Sequence, residues 1–231
     1  MMKKAVVLLS GGLDSATVLY YARRRGYRTY CLIFDYGQRH RKEIRRAVRL
    51  AVRSRSPYRT VRFSLPWGGS ALLNKRTKLP QNRAIIQTVI PSTYVPARNI
   101  IFLSFAASYA EAIGANAVFI GANAIDYSGY PDCRPEFYQA LQKTFQKGLK
   151  TGSEGKAIKV HAPFIRKTKG QIIKTGLALK VPYNLTWSCY QGGRKPCGKC
   201  DSCLLRRKGF AEAGATDPAL KVKGRIKRSK D

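Results

Sequence analysis

The sequence predicts an α/β fold: a parallel, twisted sheet with helices on both faces, followed by a small C-terminal module organised by cysteines. Three observations predict it. Short apolar runs rich in Val, Ile and Leu alternate with helical stretches through most of the chain. Glycines punctuate the ends of those stretches. From about Trp187 the composition turns to Cys, Gly and Lys, with four cysteines in close succession.

Each element follows from local pattern. Residues 5–9 are a short apolar run bounded by glycine and read as a buried strand. A helix follows to about Arg25, with Asp14 or Ser15 as its cap and Gly26 as its stop. Residues 29–34 form a second strand. Residues 40–54 make a basic amphipathic helix that buries Ile44, Ala47, Val48, Ala51 and Val52. Residues 60–65 form a third strand. Residues 66–93 lack periodicity, and a loop this long is either functional or mobile. Residues 99–113 are a strongly apolar helix, capped by Asn99 and ended by Gly114, and residues 117–122 are the next strand. Pro135 opens a helix that Gly148 closes; residues 158–165 are the last strand, and Thr168 caps the next helix. Helical connections make the strands parallel, which places ligands at their carboxyl ends. No internal repeat is evident.

The chain has 231 residues, about one and a half times the ~150-residue average domain. At 44% hydrophobic and 10% aromatic it can bury a core, which excludes a wholly disordered polyanion-binding tail. Against 44 Lys and Arg stand only 12 Asp and Glu, a net charge of +32. That field attracts nucleic acid, anionic membranes or phosphorylated small molecules and says nothing about fold. Each acid retained in this background is therefore informative. No run approaches the ~18 apolar residues of a membrane span. The apolar stretch at the N-terminus is too short for a signal-peptide core, so a cytoplasmic protein is expected. Six cysteines in a reducing compartment argue for metal binding or catalysis rather than disulfides.

Two motifs and one loop carry chemistry. Ser10-Gly11-Gly12-Leu13-Asp14-Ser15 lies between a buried strand and a helix, where free N–H groups and hydroxyls make an anion site. It lacks the Gly-Lys-Ser/Thr of a Walker loop and the third glycine of a dinucleotide fingerprint. Cys189, Cys197, Cys200 and Cys203 are spaced C-x7-C-x2-C-x2-C. Four thiolates suit tetrahedral structural Zn²⁺; an iron–sulfur cluster uses the same ligands. Cys31 reads as a buried small hydrophobe, while Cys133 fills a loop or core position or approaches a substrate. Residues 126–136 hold Asp126, Asp132 and Glu136, three of the twelve acids, where uniform spacing would place fewer than one. Carboxylates there can accept paired hydrogen bonds from a guanine-like edge, and Tyr127 and Tyr130 offer flat surfaces to a heterocycle.

Together with residues 9–15, 34–40, 94–99 and 187–189, that loop and the cysteine cluster make the sequence resemble the 7-cyano-7-deazaguanine synthase (QueC) family over residues 4–217. Its first loop resembles that of the wider N-type ATP pyrophosphatase (adenine nucleotide alpha-hydrolase-like) superfamily. The resemblance implies a Rossmann-like PP-loop domain at residues 1–186 and a Cys₄ zinc module at 187–216 packed on it. A basic tail at 217–231 is expected to be disordered. It implies an ATP-dependent carbon–nitrogen ligase of queuosine biosynthesis. The substrates would be 7-carboxy-7-deazaguanine and ammonia, converted to 7-cyano-7-deazaguanine through an adenylated acid and an adenylated amide.

The implied cofactors are ATP, Mg²⁺ and Zn²⁺, and the implied assembly is a homodimer. Leu9, Ser10, Gly11, Gly12, Leu13, Asp14 and Ser15 would hold the pyrophosphate, with Asp14 toward Mg²⁺. Phe34, Asp35 and Tyr36 would lie near the adenosine. Arg98 would neutralise phosphate or the substrate carboxylate, and Lys169 the departing phosphates. Asp126 or Asp132 would read the base, and Arg134 would hold the substrate carboxylate. His40 and His161 are the only histidines, so no Ser–His–Asp arrangement is supported.

Two rivals remain. One is a tRNA-modifying enzyme of the lysidine synthetase or thiolase type, which would use the basic surface to bind tRNA. Residues 39–62 hold ten Lys or Arg and one acid, Glu43, and the tail from Lys221 adds six basic residues. The other is a non-catalytic zinc module for nucleic acid, which leaves the Ser-Gly-Gly turn without purpose.

Overall fold

Successive side chains of a strand point to opposite faces, and in the first strand that alternation seeds both layers of the molecule. In β1 (Lys4–Leu8), Ala5 and Val7 join one core while Val6 and Leu8 join the other. The computed structural model describes residues 2–74, 76–81, 90–124 and 129–219. In it β1 is the centre of a five-stranded sheet. β2 (Arg28–Asp35) and β3 (Tyr58–Arg62) flank it on one side, β4 (Ala117–Phe119) and β5 (Lys159–His161) on the other. The order is β3-β2-β1-β4-β5 and every pair is parallel, with Val7 opposite both Cys31 and Phe119.

The helices are α1 (Leu13–Arg24), α2 (Lys42–Arg53), α3 (Arg98–Ala112), α4 (Pro135–Gly148), the one-turn α5 (Lys150–Ser153), α6 (Lys169–Ala178) and α7 (Asp201–Glu212). Leu19, Leu50, Ile173 and Phe210 bring α1, α2, α6 and α7 onto one face. Leu103 and Leu141 bring α3 and α4 onto the other. Phe210 sits in the main core, so the last helix is built into the sheet domain. After β3 the chain crosses β1 to enter β4, and the crevice at this reversal is where such sheets bind ligands. Among the described residues no helix is long and apolar enough to cross a membrane.

The expected elements are present, and their ends differ for local reasons. Asp14 and Ser15 do not cap α1; Gly12 is its N-cap and both residues lie in the first turn. In α2 the buried residues are Ala47, Leu50 and Ala51, whereas Val52 is exposed. β3 starts and ends earlier than its apolar residues suggest. It is an edge strand whose side chains are mostly exposed, so backbone pairing to β2 alone defines it. Asn99 is not the cap of α3. Ala97 is, in a left-handed conformation at φ 53°, and Asn99 is buried in the first turn. Thr168 caps α6 as expected, in a capping box with Gln171. Helix α7 has no counterpart in the sequence reading. The segment after β3 is anchored where it is described: the Arg39 guanidinium donates to the carbonyls of Ala71, Asn74 and Thr77. The basic tail from residue 220 lies outside the described residues.

Gly11 decides how α1 and α2 meet. Its φ is 85°, and a Cβ there would lie 2.2 Å from the Glu43 carbonyl oxygen and 2.8 Å from the Ala47 nitrogen. Gly11→Ala would combine left-handed strain with a backbone clash, for an expected loss of about 3 kcal/mol in unfolding free energy. Urea denaturation checks this, with a lower midpoint and an unchanged slope as the expected result.

Candidate active site and cysteine centre

The turn after β1 delivers its residues to the crevice. Gly12 caps α1 without any side-chain hydrogen bond to the helix N-terminus. The two serine hydroxyls brace the loop itself. Ser15 Oγ donates to the Gly12 carbonyl at 3.1 Å and accepts from Ser10 N–H at 3.2 Å; Ser10 Oγ accepts from Gly12 N–H at 3.2 Å. Asp14, one residue into α1, takes both of its bonds from one group. Lys169 Nζ donates to each carboxylate oxygen at 2.8 Å.

Lys169 is buried at the start of α6, and its stem runs past Gly209 of α7, where a Cβ would lie 2.4 Å from its Cγ. The phosphate loop thus carries a fixed cation beside it, supplied from 155 residues further along the chain.

Three other walls enclose a cavity of about 240 Å³. The first is aromatic: Phe34 and Tyr36 at the end of β2 pack on Phe102, with Phe34 and Phe102 stacked at 4.0 Å between ring centroids. Asp35 points the other way, as strand alternation requires, and pairs with Arg41 at 3.0 Å.

The second wall is Arg98 and Asn99 from α3 with Tyr130, Cys133 and Asn123. Tyr130 shares a hydrogen bond with Thr93 at 2.7 Å. Burial disfavours the Arg98 cation, but the Tyr36, Tyr130 and Asp132 oxygens around it more than compensate and hold its proton tightly. Burial pushes the Cys133 thiol up to about 12. The third wall is Trp187, Ser188, Tyr190 and Ser202 from the cysteine-rich end of the chain.

Of the acids expected to read a base, Asp132 is not in this lining. Asp132 is buried behind Cys133, and its Oδ2 accepts the Asn99 N–H at 3.1 Å, so its carboxylate stabilises the positive end of α3. Arg134 is exposed as the N-cap residue of α4. Asp126 and Tyr127 lie outside the described residues. Among the described residues the carboxylates that line the cavity are Asp14 and Glu43. Sequence reasoning passed over Glu43, which burial pushes up to about 8. The signal was present: it is the single acid in a stretch with ten Lys or Arg.

Cys189, Cys197, Cys200 and Cys203 place all four Sγ atoms within 4.8 Å of one another. Tetrahedral Zn–S bonds of ~2.3 Å require sulfur–sulfur separations of roughly 3.8 Å, and Cys197 Sγ and Cys203 Sγ stand 4.0 Å apart. The donor set fits a closed, four-thiolate metal site. Hydrogen bonds from the Cys200 and Cys203 thiols hold Cys189 far below the usual thiol range, and the same bonds to Cys189 push those two thiols up.

This centre is fastened to the phosphate loop. Trp187 N–H donates to Gly11 O at 2.9 Å, and His40 Nε2–H donates to Cys189 O at 2.9 Å. Lys42 Nζ lies 3.8 Å from the Trp187 ring centroid. Arg206 of α7 binds Asp217 through two nitrogens, at 2.6 and 2.8 Å, and donates to Thr186 Oγ1 at 2.7 Å.

Residues 4–214 match the model of the family described as queuosine biosynthesis protein QueC. The chain belongs to the QueC family. A relative from Trichormus variabilis named 7-cyano-7-deazaguanine synthase is 53% identical over 225 residues, covering 96% of this chain and 99% of its own. One of the same name from Thermoplasma volcanium is 51% identical over 219 residues, covering 94% and 90%. Among solved structures, NMN synthetase from Francisella tularensis is similar at 18% identity and a TM-score of 0.49, over 93% of this chain and 79% of that one. The QueC match takes in the phosphate loop, Glu43, the α3 N-terminus and all four cysteines.

Cys200→Ala should lower the bound metal from one equivalent to a small residue, and elemental analysis of the parent protein will report zinc or iron. Its melting temperature should fall by roughly 5–10 °C, since a metal bound only by the folded state adds its binding energy to stability. Arg206→Ala would leave the Asp217 carboxylate buried and unpaired, with an expected cost of about 3–5 kcal/mol in urea denaturation.

Proposed function

We propose that this protein is an ATP-dependent ligase that converts 7-carboxy-7-deazaguanine and ammonia to 7-cyano-7-deazaguanine, a step of queuosine biosynthesis. The observation that carries the reading is the crevice of a QueC-family chain. In it the Ser10–Ser15 loop, with its buried Lys169 beside Asp14, faces Arg98, Asn99 and Tyr130 across one cavity. A carboxylate becomes electrophilic when ATP adenylates it, and the cavity has donors for both ends of that transfer.

The Leu13 amide and the positive end of α1 bind the phosphates, beside the Ser10 hydroxyl that the Gly12 N–H braces. Phe34, Tyr36 and Phe102 pack against the adenine. Lys169, held beside Asp14, neutralises the departing pyrophosphate; Mg²⁺, when bound beside Asp14, would supply further charge on the phosphate oxygens. Arg98, held cationic by its neighbours, fixes the substrate carboxylate in line with the α-phosphate. Asp132 acts from behind by fixing Asn99 and Arg98. Catalysis of the adenylation step is positioning and charge neutralisation. The same loop serves a second adenylation, on the amide oxygen, from which the nitrile forms. The four-cysteine centre binds zinc as a scaffold with no open position, and holds Trp187 and Ser188 in the cavity wall.

Incubation with ATP, Mg²⁺, ammonia and 7-carboxy-7-deazaguanine should yield the nitrile by mass spectrometry. ATP turnover only with tRNA would overturn the reading in favour of a tRNA-modifying enzyme. Lys169→Ala should reduce kcat by roughly 10²–10³ with metal content unchanged.

A further inference from the structure

Two acids line the cavity among the described residues, and they differ in what holds them. Asp14 is bound on both oxygens by Lys169. Glu43 lines the same cavity, yet its carboxyl takes no hydrogen bond and no ion pair from the described residues. The charges acting on it are the Arg98 guanidinium and the Cys189 thiolate. Its backbone cannot drift, because its carbonyl sits against the Gly11 backbone. The carboxyl is therefore an unclaimed acceptor in the cavity wall, carried on a backbone held against the phosphate loop.

No other group in the described cavity can take a proton from nitrogen as readily. His40 donates through Nε2 to Cys189 O and accepts the Lys42 N–H at Nδ1, so both ring nitrogens are engaged. His161 stacks on Phe119 at the sheet and is not part of the lining. Burial keeps the Cys133 thiol and the Tyr36 and Tyr130 phenols protonated. Asp132 faces α3.

We propose that Glu43 is the catalytic proton acceptor for both nitrogen steps of this ligation, a role that rests on the reading of the site given above. In the first round ammonia forms a bond to the acyl carbon. The bond from that carbon to the AMP oxygen breaks with its electron pair on AMP, and one proton of the new ammonium nitrogen passes to Glu43. Solvent then removes that proton. In the second round the carbon–oxygen bond of the adenylated amide breaks, again with its pair on AMP. The adenylated amide first loses one of its two N–H protons to solvent; the remaining N–H bonding pair then becomes the last bond of the nitrile and its proton passes to Glu43. One carboxylate thus serves twice in a single cavity, as the phosphate loop does. Burial raises its proton affinity toward what the task requires.

Glu43→Gln separates the two halves of the reaction. Pyrophosphate exchange into ATP, dependent on 7-carboxy-7-deazaguanine, should stay within about threefold of the parent, because adenylation needs no base. Amide formation from ammonia should fall by roughly 10²–10⁴, the usual contribution of general base catalysis. The melting temperature at pH 8 should equal or exceed that of the parent, because a half-buried carboxylate without a hydrogen-bond partner contributes nothing to the fold that the amide lacks. In Glu43→Ala, added formate should restore amide formation at least about tenfold while leaving exchange unchanged, which a structural role would not produce. Amide formation by Glu43→Gln within threefold of the parent would overturn the proposal. So would a parallel loss of exchange and amide formation, or no effect of formate. If the unaltered protein shows no exchange with 7-carboxy-7-deazaguanine, the ligase reading itself fails and the base falls with it.

Discussion

The architecture of the site turns on one close backbone approach. Gly11 lies so near the first turn of α2 that no side chain fits, and its carbonyl simultaneously receives the Trp187 N–H. Three parts of the chain therefore meet at one residue without a side chain: the phosphate loop, the helix that carries Glu43, and the segment leading into the cysteine centre. Packing at this density transmits displacement instead of absorbing it. A shift of α2 would move the loop, the Glu43 carboxyl and Trp187 together.

The scarcity of acids acquires a structural meaning. Asp14 is bound to Lys169, Asp35 to Arg41, Asp217 to Arg206, and Asp132 to the start of α3. Glu111 accepts from Thr151, and Glu212 from the Gly170 N–H. These acids anchor one element to another, and the large excess of Lys and Arg is left outside such pairs. A net charge of +32 opposes compactness through self-repulsion, and anchoring pairs at element junctions counter it where it matters to the fold. Glu43 is the departure from the pattern, an acid in a wall rather than at a joint.

The sheet was legible because its strands are buried on both faces and read as apolar runs; β1, β2 and β4 lie close to where the pattern puts them. The edge strand β3 was displaced because exposure removes the apolar signal and leaves only backbone pairing. Helix α7 was hidden because it starts inside the cysteine cluster and carries Arg206, Arg207, Lys208 and Gly209 at its centre, while the features that make it a core helix are contacts with distant residues. Its Gly209 accepts the Lys169 stem, and its Arg206 reaches Asp217 and Thr186. In the site, the phosphate loop and the cysteine ligands were readable from spacing. The partner of Asp14, the true position of Asp132 and the presence of Glu43 in the cavity depend on elements far apart in the chain. A spacing argument carries no information about them.

The contacts that complete the cavity share one property: each joins an early residue to a late one. Gly11 meets Trp187, Asp14 meets Lys169, His40 meets Cys189, and Lys42 meets Gly193. During synthesis the first three strands and two helices emerge long before the residues that close the wall over them. The nascent chain thus exposes a loop shaped for phosphates while lacking the lysine, the tryptophan and the metal ligands that finish it. The cavity is complete only once Lys169, Trp187 and the cysteines have left the ribosome. The long loop closures involved make that final docking a slow event in folding.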